Sequence, residues 1–171
     1  MDLKNQLTSF QPIVPKRPNV LILGSMPGGI SLEKQQYYGN PRNHFWKILF
    51  TLFNEPFLER YEDKIIFCKQ HGIALWDTIA TCYRKGSLDA AIKEEVPNDI
   101  IGFVAKHPSI KLIACNGGKA YDILHKHFSM ETIPHVIVLK LPSTSSIPGR
   151  YTKTFEGKVE AWRVILSYIN D

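Results

Sequence analysis

The sequence predicts an α/β fold with a central, mostly parallel four-stranded sheet flanked by helices. Two observations support this prediction. Four short apolar segments typical of buried strands recur along the chain, and helical stretches of about ten residues or more lie between them. Strands that alternate with helices in this way usually form a parallel sheet. The chain of 171 residues is long enough for its own core, and we expect a single domain over residues 1–171.

The elements are predicted in chain order as follows. Residues 1–18 contain three prolines and are expected to form an extended lead-in. Apolar runs predict the strands at residues 19–24, 73–76, 111–116 and 135–139. Apolar residues at helical spacing predict helices at residues 43–54, 59–71, 98–107, 119–128 and 156–169, with Asn98 as the N-cap of the third. Between them we expect one or two helical turns at 87–92 and a polar loop at 142–154.

Composition narrows the class of protein. The formal net charge of +5 favours a polyanionic partner such as DNA or RNA. The three cysteines form no Cys-x-x-Cys pair, so we expect no disulfide framework, no structural zinc and a cytoplasmic location. We expect no membrane segment, because no window approaches the roughly 20 apolar residues of a spanning helix and the N-terminus lacks a signal-peptide core. The histidines lack metal-binding spacing.

The first motif is Gly-Ser-Met-Pro-Gly at residues 24–28, which directly follows the first strand. Its glycines allow close approach of backbone N–H groups to a ligand, and the carboxyl ends of strands are where open α/β sheets bind ligands. A small-molecule hydrolase using Ser25 is an alternative. A nucleophile elbow, however, needs Gly-x-Ser-x-Gly, and Pro27 stands where its helix would begin. A purely structural turn is the other alternative.

The second motif is Tyr-Tyr-Gly-Asn-Pro-Arg-Asn-His-Phe-Trp at residues 37–46. Tyr37 or Tyr38 offers a ring that could stack on a planar ligand, and Asn43 could orient a water molecule or bind a base edge. Asn43 would equally serve as an ordinary helix cap. We expect Phe45 and Trp46 to lie in the core.

Two further segments are candidates for binding anions. The loop at residues 141–150 has the sequence Leu-Pro-Ser-Thr-Ser-Ser-Ile-Pro-Gly-Arg. It offers hydroxyl groups and main-chain amides that suit phosphates. The alternative is an ordinary surface loop. Asn116 to Lys119 lead from a strand into a helix N-terminus, without the spacing of a phosphate-binding P-loop. No carboxylate pair is evident, and the best inward candidates, Asp77 and Asp89, have no identifiable partner.

Together the motifs at residues 24–28, 37–46 and 141–150 resemble the uracil-DNA glycosylase superfamily. The family pattern is a strand, Gly-x-x-Pro-Gly, an aromatic residue, Pro-x-Asn-x-Phe-Trp and a late Pro-Ser loop, and the resemblance extends over about residues 20–155. With Leu-Trp-Asp at 75–77 and Leu-Pro-Ser-Thr-Ser, the chain looks most similar to the hypoxanthine-DNA glycosylase branch, also called DNA-deoxyinosine glycosylase. The resemblance implies a three-layer αβα sandwich.

The resemblance also implies a function. The chain would be a monofunctional DNA repair glycosylase that hydrolyses the N-glycosidic bond of a flipped-out deaminated base, most readily hypoxanthine, in double-stranded DNA. It would work as a monomer, without metal or cofactor, in the cytoplasm and on the nucleoid if prokaryotic. Asn43 would be catalytic. The base pocket would comprise Gly24, Ser25, Met26, Pro27, Gly28, Tyr38 and Asn116, and the DNA contacts Lys119, Ser143, Thr144, Ser145 and Arg150.

Two residues depart from the pattern of the uracil-excising branches. Met26 stands where those branches carry Asp or Asn, and Leu141 stands where they carry His or Asn. We therefore expect weak or no excision of uracil. The same departures leave a non-catalytic nucleic-acid-binding module as the alternative.

Overall fold

A four-stranded parallel sheet forms the centre of the computed structural model, which describes residues 5–149 and 152–169. The strands of these residues are β1 (Leu7–Thr8), β2 (Val20–Gly24), β3 (Ile73–Asp77), β4 (Ile79–Tyr83), β5 (Lys93–Pro97), β6 (Leu112–Asn116) and β7 (Ile137–Leu141). The central sheet has the order β3–β2–β6–β7, and all its pairings are parallel. The predicted fold class is confirmed.

Helices cover both faces of this sheet. They are α1 (Gly29–Lys34), α2 (Phe45–Leu52), α3 (Tyr61–Gln70), α4 (Ile100–Lys106), α5 (Gly118–His127) and α6 (Phe155–Trp162). Val20 and Ile22 of β2 pack with α2, α3 and α6, whereas Leu21 and Leu23 pack with α4 and α5. Successive strand residues point to opposite faces, so a strand buried on both faces is apolar throughout. The result is the expected three-layer αβα sandwich.

The parallel strands all end at one edge of the sheet. Gly24 lies beside Asp77 in the register of β2 and β3, and Asn116 lies beside Leu141 in that of β6 and β7. The segments that follow these strands therefore start close together, although they are distant in the chain. This edge carries the site described below.

A second sheet was not predicted. It is antiparallel and has the order β1–β4–β5. Strands β4 and β5 lie almost wholly within residues 77–96, where the apolar residues show no clear helical or strand periodicity. The pairing of β4 with β5 contains register shifts, which interrupt the alternation that identifies a strand in a sequence. The expected helical turns at 87–92 reduce to one 3₁₀ turn at Asp89–Ala91. The lead-in contributes β1, while residues 1–4 lie outside the described residues.

Several predicted boundaries need correction. The N-cap of α4 is Asp99, whose carboxylate accepts a hydrogen bond from Gly102 N, whereas Asn98 donates to the carbonyl oxygens of Asp77 and Ile79. The short helix α1 was missed. The last strand runs over 137–141 rather than 135–139, and the last helix changes to a 3₁₀ helix at residue 163.

Within the two described ranges, every helix is too short or too polar to cross a membrane. The same residues contain no cluster of three or more His, Cys, Asp or Glu side chains suited to a metal ion. Cys68, Cys82 and Cys115 are buried free thiols.

Candidate active site

A pocket of about 210 Å³ opens at the carboxyl edge of the parallel sheet. Each of three strands contributes its last residue to the wall: Gly24 from β2, Asp77 from β3 and Asn116 from β6. The loop after β7 supplies Ser143 to Ser145. This is the position at which open α/β sheets bind their ligands. All the residues predicted for the base pocket line it, namely Gly24, Ser25, Met26, Pro27, Gly28, Tyr38 and Asn116, as does Asn43.

The loop at residues 24–28 is held in place by its own carbonyl groups. Gly24 O accepts from Thr78 N at 2.8 Å, Ser25 O accepts from Ile79 N at 3.1 Å, and Pro27 O accepts from the Arg84 guanidinium at 2.7 Å. A β-carbon at Gly24 would lie 2.5 Å from Asp77 Oδ1, so only glycine fits without displacing that carboxyl group. The loop is therefore a fixed wall whose shape depends on glycine.

Ser25 has no catalytic partner in the described structure. Its hydroxyl donates to Asp89 Oδ1 at 2.7 Å, and none of the described residues lining the pocket is a histidine. The helix that Pro27 seemed to exclude does begin two residues later, at Gly29. A serine needs an adjacent base to become a nucleophile, so this geometry does not support a serine hydrolase.

Asn43 is both a helix cap and a pocket residue. Its Oδ1 atom accepts from Phe45 N at 2.9 Å and from Thr144 Oγ1 at 2.8 Å, which fills both acceptor positions of the amide oxygen. Because a backbone N–H donates to Oδ1, the orientation of the amide is fixed. The Nδ2 group donates to no protein acceptor within the described ranges. Asn43 can therefore offer hydrogen-bond donors to a ligand.

Thr144 connects the two asparagines of the pocket. Its backbone N donates to Asn116 Oδ1 at 3.0 Å, and its hydroxyl accepts from Asn116 Nδ2 at 3.0 Å while donating to Asn43. Thr144 is only 1% exposed. Its prediction as a DNA contact is therefore wrong, because its polar groups are already paired inside the protein. Thr144 instead fixes the positions of Asn43 and Asn116.

Tyr38 forms an aromatic wall. Its ring stacks on Phe45 with the centroids 3.9 Å apart and the planes 21° from parallel. Burial and the nearby Asp77 raise the pKa of Tyr38, so the phenol remains neutral at physiological pH. Phe45 and Trp46 are buried core residues, as predicted. The stacked Phe45 fixes the plane of the Tyr38 ring.

The two residues that depart from the uracil-excising pattern are both apolar and buried. Met26 packs with Ile79, Cys82 and Ile92 in a small core cluster while also lining the pocket. Leu141 packs in the main core cluster. Neither side chain can donate or accept a strong hydrogen bond, so neither can act on a water molecule or a base.

The sequence indicates Asp77 and Asp89 only as inward carboxylates without a partner, and the structure brings both to the pocket as its acidic side. Asp77 and Asp89 both line it, from the end of β3 and from the 3₁₀ turn. Burial, reinforced by the charge of Asp89, raises the pKa of Asp77 to about 7, and Arg84 opposes this shift only in part. The available signal was the position of Asp77 immediately after an apolar strand at the carboxyl edge of the sheet.

The mouth of the pocket carries the remaining predicted residues. Ser143 is exposed and Ser145 is partly buried. Lys158 lies beneath the loop and donates to Ser145 O at 3.0 Å, 3.4 Å from His44 Nδ1. Lys119 is partly exposed at the start of α5 and does not line the pocket. Arg150 lies outside the described residues.

Comparisons with known proteins agree with this geometry. A family model described as the Uracil DNA glycosylase superfamily matches residues 11–166. A Hypoxanthine DNA glycosylase of Methanosarcina acetivorans is 37% identical over 155 residues, which cover 89% of this chain and 94% of that protein. A second, of Methanosarcina barkeri, is 34% identical over 126 residues, which cover 72% of this chain and 80% of the relative. The solution NMR structure of a Methanosarcina acetivorans protein aligns with a TM-score of 0.79 and 33% identity, covering 95% of this chain and 99% of that one.

Proposed function

This chain belongs to the uracil DNA glycosylase superfamily, and from that premise we propose that it is a monofunctional DNA glycosylase that releases hypoxanthine from duplex DNA. The reaction is hydrolysis of the N-glycosidic bond between the deaminated base and its deoxyribose. The observation that carries the proposal is Asn43, whose amide oxygen is held by two hydrogen bonds while its NH₂ group stays available beside the pocket.

The pocket suits a base that has left the DNA stack. An enzyme that acts on the glycosidic bond must rotate the nucleotide out of the duplex, at a cost of a few kcal/mol. The flipped base would stack on Tyr38 and lie against the backbone of residues 24–28. The ring of Tyr38 is supported from behind by Phe45, so it offers a preformed surface for stacking.

Asn43 would act on the departing base. As the glycosidic bond breaks, negative charge grows on the base and positive charge on the sugar. The Nδ2 group of Asn43 would donate a hydrogen bond to the base and stabilise that charge. A fixed donor in a site that excludes water can accelerate a reaction by about 10²- to 10³-fold. The amide oxygen is already engaged, so we assign Asn43 the role of donor rather than that of water acceptor.

The preference for hypoxanthine over uracil rests on the names of the relatives and on the apolar side chains at 26 and 141. Met26 offers the base no polar contact, and Leu141 is directed into the core. Weak or absent uracil excision is therefore part of the proposal.

DNA would be held at the mouth of the pocket. Ser143, Ser145, Lys119 and Arg150 are the residues that we propose contact the phosphates. Thr144 is not among them, because it is buried. We further propose that residues 1–171 form one domain that acts as a monomer, without metal or cofactor, in the cytoplasm and on the nucleoid if the source is prokaryotic.

A substrate panel tests the proposal. Labelled duplexes with a single deoxyinosine, deoxyuridine or deoxyxanthosine are incubated with the protein in the presence of a chelator, and abasic sites are then cleaved with hot alkali. We expect alkali-dependent cleavage at deoxyinosine and little at deoxyuridine. Absence of cleavage in all three duplexes would refute the proposal. Tight, salt-sensitive binding to an abasic duplex in that case would identify a non-catalytic binding module.

A further inference from the structure

Asp77 has no part in the reaction as described so far. We propose that its carboxylate is the general base that accepts a proton from the water molecule attacking the deoxyribose. The inference rests on the proposed function, because it names the proton acceptor of that same hydrolysis. It assigns to this chain a catalytic carboxylate that comes from β3 rather than from the Gly-Ser-Met-Pro-Gly loop.

The register of the central sheet places Asp77 beside the loop at residues 24–28. Asp77 is paired with Gly24 across β2 and β3, so its side chain starts beside the loop that would cradle the base. The point at which Gly24 would carry a β-carbon lies 2.5 Å from Asp77 Oδ1 and 3.2 Å from Tyr38 Oη. The missing side chain of Gly24 thus leaves space that brings the carboxylate and the aromatic wall to the same part of the pocket.

The other polar side chains of the pocket are less suited to accept the proton. Asn43 Oδ1 accepts from Phe45 N and Thr144 Oγ1, and Asn116 Oδ1 accepts from Thr144 N. Asp89 accepts from the Ser25 hydroxyl and is itself exposed to solvent. Amide oxygens are not effective bases near neutral pH, and the solvent-exposed Asp89 is engaged with Ser25, so these groups are less suited to the role than Asp77.

One oxygen of the Asp77 carboxyl group lacks a hydrogen-bond partner in the described part of the chain. Its Oδ2 atom is buried and has no hydrogen-bond partner among the described residues. Asp77 as a whole is 4% exposed. Buried polar atoms are almost always paired, and an exception needs an explanation such as a catalytic role or an ordered water molecule. Asp77 also lines the pocket, so a water molecule bound in the pocket against the carboxyl group would be the nucleophile.

The charged and titratable groups around Asp77 are consistent with proton transfer. Asp89, Arg84 and the phenols of Tyr37 and Tyr38 all interact electrostatically with the carboxyl group of Asp77. Burial acts more strongly than any of these charges and raises the pKa of Asp77 to about 7. A group that titrates near neutrality can both accept and return a proton at physiological pH.

The chemical step balances as follows. The water oxygen forms a bond to C1′ as the bond from C1′ to the base nitrogen breaks, and the electrons of that bond leave with the base. One proton of the water moves to the Asp77 carboxylate. Asp77 then returns this proton to solvent, and the departing base takes one proton from solvent. The products are free hypoxanthine and an abasic deoxyribose, so no oxidant or co-reactant is needed.

Two variants test the role. Asp77→Asn keeps the shape of the side chain but cannot accept the proton, and Asp77→Ala leaves space for a small carboxylate. Single-turnover release of hypoxanthine is measured from about pH 5 to pH 9, with formate added in parallel. We expect Asp77→Asn to be slower by about 10²- to 10⁴-fold and to lose the rise in rate centred near pH 7. Formate should restore part of the rate of Asp77→Ala only.

Controls separate catalysis from folding and binding. Binding is measured with a duplex that carries the non-hydrolysable 2′-fluoro analogue of deoxyinosine, and folding is measured by thermal unfolding. We expect Asp77→Asn to fold and to bind this duplex within about threefold of wild type. Asp89→Asn, which removes the neighbouring carboxylate, should stay within about tenfold of the wild-type rate and shift the rise in rate to lower pH.

The outcomes distinguish the inference from the proposed function. Wild-type protein that releases hypoxanthine, together with an Asp77→Asn variant of equal rate and pH profile, would overturn the inference alone. Loss of binding in proportion to the loss of rate would also overturn it, since that would indicate a structural role. Wild-type protein that releases no base would refute the proposed function and the inference with it.

Discussion

The two sides of the pocket differ in how their polar groups are paired. On one side, Asn43, Thr144 and Asn116 form a closed set of hydrogen bonds of 2.8 to 3.0 Å. On the other side, Asp77 Oδ2 is buried without a hydrogen-bond partner in the described residues, as is Nη1 of Arg84, which binds the loop at 24–28 without lining the pocket. A connected hydrogen-bond network fixes geometry, whereas an unpaired buried group costs stability and needs an explanation such as a catalytic role. We therefore interpret the first side as the binding frame, which positions the Asn43 donor, and the second as the reactive side, which accepts the proton.

The largest expected effect concerns the reactive side. Asp77 is expected to destabilise the folded protein progressively above pH 3.8 and fully above about pH 7, since its folded pKa of about 7 exceeds its ordinary value of 3.8. Between these two values the unfolded chain loses the proton while the folded chain keeps it, so stability falls as pH rises. At about 1.4 kcal/mol per pKa unit, the full difference is about 4 kcal/mol.

Asp77→Asn should therefore raise the free energy of unfolding at pH 8 by up to about 4 kcal/mol and change it little near pH 4. Urea denaturation at both pH values measures this. An equal effect at pH 4 and pH 8 would mean that ionisation of Asp77 is not the source of the instability.

The next effect concerns the amide of Asn43. Asn43→Asp keeps an oxygen for Phe45 N and Thr144 but removes the NH₂ donor. We expect the rate of hypoxanthine release to fall by about 10²- to 10³-fold, with a melting temperature close to that of wild type. Asn43→Ala, which also loses the cap, should lose a further ~1 kcal/mol of stability. An Asn43→Asp variant that releases hypoxanthine at the wild-type rate would contradict the donor role of Asn43.

A smaller effect, on stability, is expected when a side chain is added at Gly24, where the loop contacts Asp77. Gly24→Ala would place a β-carbon 2.5 Å from Asp77 Oδ1 and should cost about 1–3 kcal/mol. Gly118→Ala is the matched control, because nothing lies within 4 Å of its added carbon and residue 118 begins α5. Thermal unfolding of the two variants compares them directly. Equal stability would show that the carboxyl group moves away freely.

The smallest effect concerns the hub of the binding frame. Thr144→Val removes the hydroxyl that connects Asn43 with Asn116 and should cost about 0.5–1.5 kcal/mol and a few-fold in rate. Thr144→Ser retains the hydroxyl and should restore most of the rate. If Val and Ser behave alike in both stability and kinetics, the network does not position Asn43.

The central sheet could be predicted because each of its strands is buried on both faces and is therefore apolar throughout. The β1–β4–β5 sheet could not, because β5 is mostly polar and pairs irregularly with β4. Helix α1 was missed because it begins after two glycines without a capping side chain, and Gly–Gly is a turn signal in a sequence.

The candidate site, like the fold, could be predicted from the sequence only where the signal is local. Asn43 and the loop at 24–28 lie in compact motifs, so local sequence identifies them. The pairing of Asp77 with Gly24 joins residues more than 50 positions apart, and only the register of β2 and β3 brings them together. Thr144 lies in a segment with the composition of an exposed loop, and its burial depends on contacts with two asparagines from other segments.

The central claim is that the pocket catalyses hydrolysis of a deoxyinosine glycosidic bond. The most direct measurement is chromatographic detection of free hypoxanthine after the protein, in buffer with chelator, is incubated with a deoxyinosine duplex. We expect one equivalent of hypoxanthine per modified site, an intact strand until alkali is added, and little uracil from a matched deoxyuridine duplex. Unaltered deoxyinosine duplex after prolonged incubation with excess folded protein would contradict it.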